Sequence, residues 1–214
     1  MRGALSEEAS GLRHRIGLHG TAWIRAMPLY LLLIGAFGVW LPWQKGQDFL
    51  NPVILGAYAC LGIVFAAPAA APEFENGASL QKALARVIVS VLYGELAAGV
   101  MLMLALTSVY VSHAGRIVVG PDLRALAECS AMGLTLSIAL SAAAVWLSVK
   151  FSTNVARNVV RLVFLSLLAA FYLRSGWLPT IALRGAAIGF LLSILFLLGL
   201  RATLATRDPG IEPA

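Results

Sequence analysis

Charge is scarce in this chain: Asp, Glu, Lys and Arg make up 12% of its 214 residues, where a water-soluble domain carries about a quarter. Apolar residues reach 60% and the mean hydropathy is +0.86. That balance excludes a soluble globular enzyme, a disordered chain and a nucleic-acid-binding module. Most of the surface has to lie in lipid, so membrane lipid is the first expected partner and nucleic acid is not one.

Other absences narrow the chemistry. Two cysteines, Cys60 and Cys129, sit in apolar stretches without CxxC spacing, so neither a disulfide framework nor a thiol redox motif is indicated. None of the three lysines, Lys45, Lys82 and Lys150, lies in a GxxxxGK(S/T) context, and the chain cannot cradle a nucleotide in a P-loop of its own. There is no GxSxG elbow. The histidines His14, His19 and His113 are scattered, with no spacing for a metal site and none well inside an apolar run for haem ligation. No catalytic residue, cofactor or metal is expected.

What is present is six apolar runs, at 26–43, 52–71, 87–112, 125–149, 155–173 and 180–200. About 20 helical residues cross about 30 Å of hydrocarbon. Runs apolar on every face, such as 191–198, are unlike the alternating segments of a membrane barrel. Backbone groups in lipid must be satisfied within the segment, so the runs become helices. The expectation is an all-α, polytopic integral membrane protein of six transmembrane helices. The fifth is the weakest, because it reaches span length only by including Arg157 and Arg161. The spans and short loops form one membrane domain at 26–204, followed by a tail at 205–214.

Residues 1–25 do not read as a signal peptide, since Glu7 and Glu8 precede a mixed segment. Leu5, Leu12, Ile16 and Trp23 recur at near-helical spacing with Arg13, His14 and Arg15 between them. That pattern suits an amphipathic helix in the membrane interface, frayed or bent by Gly17 and Gly20. Alternate loops divide the 16 Lys and Arg residues eleven to five. The richer side holds both ends of the chain, which the positive-inside rule assigns to the cytoplasm.

Glu95 is the polar group at depth. A carboxylate inside a span is costly and raises the question of an ion relay or substrate contact. A hydrogen bond to a neighbouring helix or a wet cleft explains it equally well. Glu128 reads as interfacial, and Arg184 as snorkelling from the sixth span. Gly185 and Gly189 form a GxxxG, and Gly94 with Ala98 a second small pair. Both spacings let helices approach closely, within the chain or in an oligomer.

The most informative polar segment is PEFENGASL at 72–80, on the expected cytoplasmic side. Gly77 permits a tight turn, and Ser79 can cap a short helix through Gln81, Lys82, Ala83 and Leu84. An acidic turn before such a helix suits docking of a cytoplasmic partner; a solvated hairpin fits the same residues.

In layout and in this segment the chain resembles the membrane subunits of type-2 ATP-binding-cassette exporters, including the similarly sized haem-exporter B-type subunits. Glu73, Glu75, Gly77, Ser79 and Leu80 look like the E-x-E-x-G-(S/T)-L stretch that follows the second span there. Ala78 is an extra residue, and the re-entrant segment before the sixth span is reduced to 174–179. The resemblance implies a permease in a bacterial plasma membrane, pairing with itself or another permease subunit. It also implies docking of a separate ATP-binding subunit through 73–84, with Leu80 to Leu84 as the docking helix. Two other readings stand beside it: an ion-gradient carrier using Glu95, and a non-transport assembly subunit.

Overall fold

The computed structural model describes residues 1–18, 62, 63, 66, 67, 69, 70, 79–112, 122–151, 155, 158, 159, 162, 163, 166 and 178–207. Four helices are complete within them: α1 (Arg2–Leu18), α2 (Leu80–Ser112), α3 (Asp122–Lys150) and α4 (Leu178–Arg207). The described residues between 62 and 70 and between 155 and 166 are helical too. The described part is all-helical. Three of its helices, α2, α3 and α4, are long and apolar enough to cross a membrane. The expected first span, Trp23 and the acidic part of the 72–80 segment lie outside the described residues.

Each helix is longer than its apolar run. α2 starts at Leu80 rather than at residue 87. The Lys82 amide donates to Ser79 Oγ at 3.3 Å, an N-cap that satisfies one otherwise orphaned donor, and the Ala83 amide makes the first helical bond to the Ser79 carbonyl at 3.0 Å. The short docking helix expected over 80–84 is therefore the first turn of α2, continuous with the span. The intervening Ala83, Leu84, Ala85 and Arg86 favour helix and offer nothing to end it. α1 runs through Gly17 and closes at Leu18; Gly20 lies outside the described residues. Pro179 sits in the first turn of α4, where its missing N–H costs nothing.

The contacts fix the directions of the helices. Glu95 meets Ser137, while Val87 shares a core cluster with Val145 and Val149; α2 and α3 are antiparallel. Along α3 and α4, Gly185 packs on Met132, Gly189 on Thr135 and Gly199 on Trp146, so these two helices run parallel. α1 packs on the start of α2 through Glu8 and Arg86. The start of α2 and the ends of α3 and α4 therefore share one end of the bundle with α1. That end carries Lys82, Arg86, Lys150, Arg201 and Arg207.

The core is built of small residues. Ala67, Ala70, Ala83, Ala142 and Ala144 are fully buried beside Val145 and Leu200, and short side chains let helix axes approach closely. Large apolar residues point outward instead: Leu92, Leu96, Leu183, Leu191 and Leu195 are each more than 60% exposed. In water such an outer surface would be an aggregation hazard; in lipid it is the solvated face.

Candidate functional site

Two polar features stand out in this apolar bundle. The first is a junction of three helical segments around Glu95. Gly94 abuts the Gly62 carbonyl and Ala66 of the 62–70 segment, and no Cβ fits at either glycine without displacing a neighbour. This close crossing brings the Glu95 carboxylate over Gly62. From the other side, Ser137 of α3 donates its hydroxyl to Glu95 Oε1 at 3.0 Å. Ser137 is fully buried and Glu95 half-buried. The packing of Gly94 is thus inseparable from the position of the carboxylate beside it, and Ala98 is buried one turn further on.

Two hydroxyls accompany the junction. Ser141 lies one turn beyond Ser137 on the same face of α3, toward the end that holds α1. Ser90 precedes Glu95 on α2. The register set by Glu95 and Ser137 brings Ser141 level with Ser90 and Val91. Both serines are at most 1% exposed, and neither Oγ has a hydrogen-bond partner. Unmet buried hydroxyls are costly and unusual. Serine is common in membrane helices, so the sequence alone offered no reason to group Ser90, Ser137 and Ser141 with Glu95.

The second feature joins α1 to α2. Arg86 donates from Nε to Glu8 Oε2 at 3.2 Å and from Nη2 to Glu8 Oε1 at 3.3 Å. The two side chains are 8% and 10% exposed. One turn earlier on α2 the Lys82 ammonium meets Glu7 at 3.0 Å, in the open. The packed face of α1 thus carries a carboxylate, Glu8, beside the buried Leu12. Arg86 of α2 meets that carboxylate. Ser79, Leu80 and Leu84 lie next to this joint, exposed, half-buried and half-buried, whereas Glu73, Glu75 and Gly77 are outside the described residues.

The α3–α4 contact is a packing seam. Gly185 faces Met132, and Gly189 faces Thr135 and the Leu136 amide; the GxxxG serves this contact between two helices of one chain. Ser193 donates to the Thr135 carbonyl of α3 at 3.0 Å and to the Gly189 carbonyl of its own helix at 2.7 Å. Trp146 donates to Thr203 at 3.0 Å and stacks obliquely on Phe196. The Lys150 ammonium lies 5.2 Å over the Trp146 ring. Basic and amphipathic aromatic groups are enriched where a bundle meets headgroups.

Glu128 holds Arg124 at 2.8 Å across one turn; Arg184 is exposed. Cys129 is buried against Ala182. Among the described residues no group of three His, Cys, Asp or Glu side chains converges as metal ligands would. Comparison with known protein families, with characterised proteins and with solved structures found no match.

Proposed function

We propose that this chain is the membrane-spanning subunit of a transporter driven by a separate ATP-hydrolysing protein, which docks on residues 73–84. The observation that carries the reading is the joint at the start of α2. Arg86 and Lys82 clasp Glu8 and Glu7 immediately after the 73–78 segment. Because Ser79 caps a helix continuous from Leu80 into the span, a push on 73–80 is transmitted to the bundle as motion of one rigid rod. A free hairpin would dissipate it. An energy-consuming partner acts only through contacts that differ between two states of the transporter, and this rod with α1 attached supplies such a lever.

Six spans accord with the directions of the described helices. Parallel α3 and α4 require the chain between Phe151 and Leu178 to return from one end of the bundle to the other, as a fifth crossing does. The basic end shared by α1 and the close of α4 is then the cytoplasmic one, with both termini there and α1 in the membrane interface. A bacterial plasma membrane and pairing with a second permease subunit complete the reading. The chain itself supplies no catalytic group.

A photoactivatable cross-linker on a cysteine introduced at Ser79, which is exposed, tests the docking. In membranes it should capture a soluble protein that an ATP analogue also labels. Glu73→Ala with Glu75→Ala should abolish that capture. A folded chain that captures no ATP-binding protein contradicts the reading.

A further inference from the structure

We infer that Glu95 is a reversible proton-binding site inside the bundle, reached from the α1 end past Ser90 and Ser141. This goes beyond the docking reading and does not depend on an ATP-hydrolysing partner. Three observations carry it. Glu95 lies within an apolar stretch of spanning length, Leu80–Val100, and among the described residues its carboxylate has a single hydroxyl donor, Ser137. A purely structural carboxylate would be expected to gather more donors or a countercharge. Finally, two buried hydroxyls without partners lie on the α1 side of the Glu95–Ser137 contact: Ser141 one turn from Ser137, and Ser90 five residues from Glu95 on a different face of α2.

Among the described residues no countercharge closes the site. Facing elements bring Gly62, Ile63 and Ala66 from the 62–70 segment and Ser137 from α3. The nearest described titratable groups on α2 and α3 are Tyr93, half-buried on the opposite side of α2 from Glu95, and Cys129, two turns from Ser137 against Ala182. Arg86 is about 13 Å along α2 and bound to Glu8. On α4, Arg184 is exposed.

The ligand is a proton rather than a metal ion. Hard divalent cations take about six oxygens or more, and among the described residues the junction offers a carboxylate, one hydroxyl and the Gly62 carbonyl. A proton needs one carboxylate oxygen. On uptake, Oε2 gains the proton and the carboxyl becomes neutral, while Ser137 still donates to Oε1; on release the proton returns along the path by which it came. Hydroxyls can pass a proton on, accepting one and giving up their own, so Ser90 and Ser141 are suited to the approach.

The test uses the whole chain in mild detergent with dicyclohexylcarbodiimide, which modifies protonated carboxyl groups in apolar surroundings. Glu95 should form an adduct, detected by mass, that falls by roughly tenfold or more between about pH 6 and about pH 9. Glu95→Gln should keep the Ser137 hydrogen bond and the unfolding temperature while losing the adduct. No adduct on the folded chain at the acidic end, or one independent of pH, overturns the site. For the route, Ser90→Cys and Ser141→Cys in a background with Cys60 and Cys129 changed to alanine should each react with a water-borne methanethiosulfonate. A cysteine that stays unreactive overturns the route at that position.

Discussion

Glu8 and Arg86, 78 residues apart in the chain, form a two-point ion pair from which water is nearly excluded, with donor–acceptor distances of 3.2 and 3.3 Å. The pair does more than tether α1. It fixes the rotation of α1 against the first turns of α2, because a guanidinium fork and a carboxylate match in only a few orientations.

Removing one partner of this pair leaves the other buried without it. Glu8→Ala should loosen α1 by about 1–3 kcal/mol, the range for losing a hydrogen bond to a charged group, because Arg86 keeps a further interaction. Lys82→Ala should cost below about 1 kcal/mol, because the Lys82–Glu7 pair is exposed and screened by solvent. Limited proteolysis within α1 checks both: rapid cleavage in Glu8→Ala, near wild-type protection in Lys82→Ala. Equal protection in the two variants would contradict the assignment.

The glycines of the α3–α4 seam should differ. At Gly189 a Cβ would lie 2.6 Å from Thr135 Oγ1 and 3.1 Å from the Leu136 amide nitrogen, and backbone does not yield. Gly189→Ala should destabilise by about 1–3 kcal/mol. Gly185→Ala should cost less, since its obstacle is the Met132 side chain rather than backbone. At Gly199 the nearest atoms are 3.6 Å away, and alanine should gain up to about 1 kcal/mol from helix propensity. Thermal unfolding in detergent should rank the three in that order.

How much of this was legible in the sequence follows from the range of each signal. Apolar runs report burial in lipid directly, so α2, α3 and α4 were visible as runs. The start of α2 was not, because Gln81, Lys82 and Arg86 lower hydropathy without opposing helix. Glu95 was visible as a charge out of place. Ser137 was not, since pairing across 42 residues leaves no local pattern, and the same holds for Glu8 and Arg86. Gly185 and Gly189 announced a close contact, but only the fold assigns it to α3.

Ser193 offers a measure of polar cohesion in the seam. Its hydroxyl is shared between the Thr135 and Gly189 carbonyls. Ser193→Ala should lower stability by about 0.6 kcal/mol, the average for interhelical hydrogen bonds in membrane bundles. A loss several times larger, in the same unfolding assay, would mean that the seam depends on this one hydroxyl rather than on close packing.

The central claim, an ATP-driven permease docked through the segment before α2, is tested most directly by ATPase activity retained on the tagged chain after mild-detergent purification. Wild type should bring down ATP hydrolysis that Glu73→Ala with Glu75→Ala loses while the chain remains folded. Eluates free of ATPase activity in both, from a folded wild-type chain, would contradict it.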